Sequence, residues 1–321
     1  MTNIVPLFKF FQKNVNDIIF SKIDRIFYAR HLMEPRPLFI LGVPRSGTTL
    51  FYQTVVQNMQ VTFFPAPMTY CYGLANGLQR LLQTLHRRPT VNYESHYGHV
   101  SGWLAPTEDA NFWLQWLPSD GELGHRVSPD DVEFDNYHSM IFIVASLESI
   151  AKHPLAIKSL YLDMNAGLLA RLFPNARFVH VHRNPITNCQ SLLLGRQRQR
   201  NPNLWWSVKI PYYHRLLREP LWRQVCEQYF YTEKILHEDL KKYASNDRVF
   251  DVQYELFCRE PNKVLDELER WLSPVGFLPY SDRRIPKEFK ISDQLIISSK
   301  EVKAITDYLS YLESTADDNY K

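Results

Sequence analysis

Glycine is scarce: 11 residues in 321, about half the usual share of roughly 7%. That excludes collagen, Gly/Ser linkers and repetitive Gly-rich β architectures. Cysteine is scarcer. Cys71, Cys189, Cys226 and Cys258 form no C-x-x-C pair, so neither a zinc site nor a disulfide framework is indicated. No Asn-x-Ser/Thr acceptor occurs, and no apolar run reaches the roughly 18 residues of a membrane-spanning helix. Lys9, Lys13, Asp17 and Lys22 interrupt the N-terminal apolar residues, so a signal-peptide layout is missing. A reducing cytoplasm is the expected location. Excess charge is also small, at +3, which argues against a dedicated nucleic-acid binder.

What is present is a globular composition. Apolar residues make up 45% and charged residues 22%, unlike a disordered chain. The length fits one large domain or two small ones, and no linker or repeat divides it. We expect an N-terminal amphipathic helix within residues 1–34 and a main domain over 35–321. Within residues 4–30, Phe8, Phe11, Val15, Ile18, Ile19, Ile26 and Phe27 recur at helical spacing. Two readings are open: a helix that packs its apolar face on the main domain, or a membrane-surface helix with a Lys/Arg-rich polar face.

From Leu38 onward short apolar runs alternate with helical patterns. The expected buried strands are Leu38–Leu41, Val61–Phe64, Leu155–Lys158, Phe178–His182 and Val249–Tyr254. The expected helices are Thr48–Met59, Tyr72–Leu85, Glu108–Leu117, Tyr137–Lys152, Asn165–Phe173, Pro185–Leu194, Leu221–Tyr243, Pro261–Leu272 and Ser299–Leu312. Ser298 and Glu301 form a capping box for the last one. This alternation predicts an α/β fold with a parallel sheet.

Gly42-Val43-Pro44-Arg45-Ser46-Gly47-Thr48-Thr49 lies between a strand and a helix. Its glycine spacing is that of a nucleotide P-loop. Backbone N–H groups at such a helix start bind phosphate oxygens, and the hydroxyls of Ser46, Thr48 and Thr49 can add hydrogen bonds. An ATP or GTP hydrolase carries Lys after the second glycine. Here that place holds Thr48, and the cation is Arg45 inside the loop.

Pro44–Thr49 resembles the 5′-phosphosulfate loop of sulfotransferases that use 3′-phosphoadenosine 5′-phosphosulfate (PAPS). Arg183 follows the strand Arg177–His182, and Asn184-Pro185 suits a helix N-cap and first turn. Arg183 and Ser191 resemble the family's 3′-phosphate motif. Val249–Glu255 with Pro261 resembles its strand ending in Tyr-Glu, which implies that Tyr254 meets adenine. Ile157-Lys158-Ser159 resembles the strand carrying a catalytic lysine, and Leu172–Phe178 is similar to bacterial members. The resemblance spans about Leu38 to Pro261. It implies a three-layer αβα, P-loop-like fold with a central parallel sheet.

It also implies a reaction: sulfuryl transfer from PAPS to an acceptor hydroxyl or amine, with PAP as product and no metal required. Arg45 and Lys158 are the cations expected near the bridging oxygen. The His that cytosolic members place two residues after the lysine is Leu160 here, so the base must lie elsewhere. Ala105–Phe112 resembles an acidic helix start that supplies a Glu in other branches. Glu108 is the first choice and Asp109 the second, with His96 and His99 as alternatives. Acidic residues in a first helical turn also favour the helix dipole without catalysis.

Arg196, Arg198 and Arg200 read either as a solvated helix end or as support for an anionic ligand. Trp205-Trp206 reads as core or as a platform for a sugar or lipid. The family's Lys-Gly-rich adenine segment is missing, and Lys287 and Lys290 are weak substitutes. The expected acceptor is a small molecule, a glycan or a lipid-type compound, with no nucleic acid and with peripheral membrane contact through residues 4–30 as an open option. The rival readings are a nucleotide-dependent kinase and a non-catalytic nucleotide-binding protein.

Overall fold

The computed structural model describes residues 12–85, 91, 93, 102, 104–108 and 110–315. Its centre is a sheet of four strands: β1 (Leu38–Leu41), β2 (Ala156–Ile157), β3 (Arg177–His182) and β4 (Val249–Gln253). The order is β2-β1-β3-β4, and every pairing is parallel. Such strands need helical crossovers and are covered on both faces. Side-chain alternation shows this directly. Phe39, Leu41, Ile157 and Phe178 enter one core cluster, beside Met140, Leu169 and Leu236. Leu38, Ile40, Ala156, Val179 and Val181 enter another, beside Val55, Phe257 and Leu268. The fold is therefore the expected three-layer αβα arrangement.

The helices used below are α1 (Thr48–Asn58), α2 (Ala75–Leu85), α3 (His138–Ala151), α4 (Ala166–Leu172), α5 (Pro185–Gln197), α6 (Leu221–Tyr243), α7 (Tyr254–Arg259), α8 (Pro261–Leu272) and α9 (Ser299–Thr315). Helix α5 starts as the sequence predicts: Asn184 Oδ1 accepts hydrogen bonds from the Ile186 and Thr187 amides at 3.1 and 3.2 Å. The capping box of α9 is also formed. The Ser298 amide donates to Glu301 Oε2 at 3.0 Å, and the Glu301 amide to Ser298 Oγ at 3.2 Å.

Two expectations need correction. The strand expected at Val61–Phe64 is reduced to a single bridge at Thr62, paired with Leu155. The helix expected at Glu108–Leu117 is only one turn, Ala110–Trp113. Phe112 and Trp113 pack there against Phe64, and ring packing fixes the segment more than helical pitch does. The lead segment, residues 4–30, is described from 12 onward, and residues 12–27 are helical throughout. They form a π-helical stretch Val15–Phe20, one α-turn Ser21–Asp24 and a 3-10 turn Arg25–Phe27. The apolar residues divide: Val15, Phe20 and Phe27 are half-buried, with Phe20 beside Gly73 and Phe27 beside Gly77, while the isoleucines turn outward. Ile18 and Ile26 are 54% and 81% exposed, whereas Asn16 and Asp24 are buried.

Polar anchors set which way the isoleucines turn. Asp24 accepts from the Gly77 amide at 2.8 Å and from the Asn76 amide and side chain at 3.1 and 2.8 Å. Asn16 accepts from the Gly73 amide at 2.8 Å and donates to the Tyr70 carbonyl at 2.9 Å. The acceptors cover backbone amides around the start of α2, which lack intrahelical partners.

Candidate active site

Strand register builds the site. Leu41 at the end of β1 pairs with His180, and His182 at the end of β3 pairs with Gln253. The three segments that follow therefore emerge side by side. They carry Gly42–Gly47, Arg183 and Tyr254. β1 sends its next strand to one side and β3 lies on the other, so this is the switch point where open parallel sheets bind ligands.

Arg45 in the loop has φ +76°, a strained left-handed conformation for a non-glycine residue. Its Nε donates to Ser191 Oγ at 3.0 Å. Gly47 has φ +96°, and a Cβ there would run into the Tyr254 ring; glycine is required. Arg183 Nη1 donates to the Arg45 carbonyl at 2.7 Å and Nη2 to the Ser292 carbonyl. Its guanidinium lies 4.8 Å from the centre of the Tyr254 ring, within cation–π range. Burial pushes the Tyr254 hydroxyl up to about 12, with Cys258 adding to the rise. Two buried atoms here have no hydrogen-bond partner, Ser46 Oγ and Arg183 Nε.

These groups line a cleft of about 820 Å³. Arg45, Gly47, Thr48, Thr49, Lys158, Glu108, Arg183, Ser191 and Tyr254 all reach it, so residues spread over the sequence converge, while Ser46 is buried and not among the lining residues. Lys158 and Glu108 are joined in an ion pair. Leu160 also lines the cleft. Asp109, His96 and His99 lie outside the described residues. Lys290 and Ser292 border the cleft, while Lys287 is not among its lining residues.

The ambiguous aromatic and basic residues separate cleanly. Trp206 lines the cleft. Trp205 is structural: its Nε1 donates to the Val208 carbonyl at 2.8 Å, and Arg196 stacks over it at 5.1 Å. Arg196 is fully buried while Arg198 and Arg200 are exposed, which corrects the solvated reading for the first arginine. Burial lowers its guanidinium to about 10.

Two groups escaped the sequence reading. Asp163 is buried in the cleft floor and accepts from the Gly42 amide at 3.2 Å. Burial pushes its carboxyl well above the usual range, against the opposing charge of Lys158. Its spacing from Lys158 could have drawn notice, but only the fold shows that it faces Gly42. The second group is His180, His182 and Glu233. Among the described residues these three lie close enough together to hold a metal ion, yet their ring nitrogens already face carboxylates. His182 Nδ1 meets Glu233 Oε1 at 2.9 Å and Nε2 meets Asp251 Oδ1 at 2.6 Å. Burial alone would lower the His182 pKa, but bonds to Asp251 and Glu233 prevail and raise it to about 9. Burial would raise Glu233, but His180 and His182 bring it to about 2. The cluster fixes the end of β3 one residue before Arg183.

The Sulfotransferase family pattern matches residues 37–274, well over half of the chain and including every element of this cleft up to Tyr254. The chain belongs to the sulfotransferase family. Its overall structure is similar to that of sulfotransferase STF1 from Mycobacterium tuberculosis H37Rv, with TM-score 0.53, 14% identity, and coverage of 94% of this chain and 80% of that one. Sulfotransferase STF9 from Mycobacterium avium aligns with TM-score 0.51, 18% identity, and the same 94% and 80% coverage. At these identities the likeness concerns the fold. An uncharacterised protein of Aquifex aeolicus (strain VF5) is 22% identical over 250 residues, which is 77% of this chain but 26% of that relative. The chain thus spans about a quarter of the relative's length.

Proposed function

We propose that this sulfotransferase uses PAPS as donor and an acceptor hydroxyl or amine as nucleophile. The observation that carries the reading is the single Arg183 guanidinium, which touches the phosphate loop at Arg45, the Ser292 carbonyl and the Tyr254 ring. One cation thereby links the 5′ side, the 3′ side and an aromatic surface. The fit is supported by the unpartnered Nε of Arg183, a residue that lines the cleft, since buried polar atoms normally have partners. The first-turn amides of α1 add donors with no intrahelical acceptor.

In this reading the donor supplies a sulfuryl group on a good phosphate leaving group. Arg45 to Thr49 hold its 5′ end, Arg183 and Ser191 its 3′-phosphate, and Tyr254 its adenine. Glu108 accepts the acceptor's proton as the new S–O or S–N bond forms. Lys158 and Arg45 take up the negative charge that develops on the phosphate oxygen as the old S–O bond breaks. Positioning and charge stabilisation dominate such transfers. Asp163 holds the Gly42 amide and faces the charge of Lys158, so it acts through the loop. Trp206, Tyr161 and Tyr70 along the cleft favour an acceptor with an apolar part, such as a sugar, lipid-linked or other amphipathic compound.

Thermal stabilisation by 3′,5′-adenosine bisphosphate tests the donor assignment. A ligand at 100 times its Kd adds about 2.7 kcal/mol. The bisphosphate should stabilise the protein without Mg²⁺, and Arg183→Ala should abolish the effect. Stabilisation by ATP with Mg²⁺ alone would overturn the reading in favour of a kinase.

A further inference from the structure

We propose that residues 12–34 dock the protein onto an anionic lipid surface. This goes beyond the donor reading and does not depend on it. The first observation is the outward turn of the isoleucines already described. Asn16 and Asp24 satisfy amides inside the protein, and Ile18, Ile19, Ile23 and Ile26 are left facing outward. Leu32 and Met33 extend the exposed apolar residues. An open cleft lined by Leu32, Met33, Tyr28, Ile141 and Phe142 continues from them, with the Tyr28 and Phe142 rings in edge-on contact. A run of this kind is unlike the singly scattered apolar residues of an ordinary surface.

Charge selects the occupant. Lys13, Lys22, Arg25 and Arg30 are exposed in the same segment. The acidic residues beside them are the exposed Asp17 and Glu34, and Asp24, which is buried. Asp17 is also engaged, accepting from the Tyr72 hydroxyl at 2.9 Å. Basic residues interleaved with apolar ones suit the headgroup boundary of an anionic leaflet, where each Lys or Arg adds attraction. Among the described residues no helix is long and apolar enough to cross a membrane, so the contact is peripheral.

Position gives the contact a consequence. Gln12 Nε2 donates to the Thr69 carbonyl at 3.1 Å and Asn16 Nδ2 to the Tyr70 carbonyl at 2.9 Å. Thr69 and Tyr70 line the cleft. The segment that meets lipid is therefore hydrogen-bonded to the rim of the cleft. If the proposed function holds, the acceptor enters from the lipid interface.

Co-sedimentation of the full chain with phosphatidylcholine vesicles, with and without phosphatidylserine, tests the docking. Binding should require phosphatidylserine and weaken with added salt. Ile18→Glu with Ile26→Glu, and separately Lys22→Glu with Arg25→Glu, should each reduce the partition coefficient by about tenfold or more. All four positions are exposed, and unchanged thermal midpoints would show that the variants fold. A wild-type protein that stays in the supernatant overturns the proposal. So does binding that neither double variant weakens. A concentration-dependent dimer that the isoleucine variant abolishes, without vesicle binding, overturns it in favour of a second copy. Stabilisation by 3′,5′-adenosine bisphosphate is read separately, so failure of the donor assignment remains distinguishable.

Discussion

The cleft and the lead segment handle their apolar residues in opposite ways. At the cleft, the apolar runs of β1 and β3 are buried, and the polar chemistry collects in the loops beyond their ends. In the lead segment the isoleucines face outward, while two buried polar side chains pack inward beside the half-buried Phe20 and Phe27. Periodicity shows which residues share a face. It does not show which face turns inward. That choice falls to whichever buried polar groups need partners, here the amides around the start of α2.

Predictions can break this contrast, and the largest effects lie in the cleft. Glu108→Gln should lower kcat by about 10²–10⁴, as expected for loss of a general base. Binding of 3′,5′-adenosine bisphosphate should stay intact. Normal turnover in that variant would remove Glu108 from the chemistry. Arg183→Ala should cost about 10²–10³ in kcat/KM, and the bisphosphate should no longer shift the thermal midpoint. If the shift survives, the guanidinium only braces the loops.

The lead segment should respond in stability rather than catalysis. Asp24→Ala leaves the Asn76 and Gly77 amides without their acceptor and should cost about 1–3 kcal/mol in denaturant unfolding. Ile26→Ser should stay within about 0.5 kcal/mol of wild type. Equal losses in the two variants would mean that the isoleucine face packs inward after all.

The smallest effect is one of pH. His182 has its pKa raised in the folded state to about 9. Its contribution should be complete below its ordinary value of about 6.5 and should fade as pH rises through 9. Comparing the thermal midpoints of wild type and His182→Gln across that range checks the sign. A gap that widens at high pH would be the wrong sign.

The sequence made much of the fold legible, for a physical reason. Strands buried on both faces must be continuously apolar, and Asn-Pro or Ser-x-x-Glu at a helix start has one main structural use. The loop at Gly42–Thr49, Arg183 and Tyr254 could be placed because each follows a strand. What stayed hidden depended on contacts distant in sequence. Asp163 is marked only by the Gly42 amide it meets in space. The His180–His182–Glu233 group needs β3 to face α6. The strand at Val61–Phe64 failed because its run gains only one bridge, at Thr62. Arg196 was misread because its aromatic cover lies beyond the end of its own helix.

The pairing of β1 with β3 joins Leu38 to Arg177, and the last wall of the cleft is the carbonyl of Ser292. A growing chain therefore cannot complete this site until Ser292 has left the ribosome. Contacts this far apart also close slowly. Ligand affinity should thus appear late in folding, and a chain shortened before Ser292 should retain the sheet while losing the grip on its ligand.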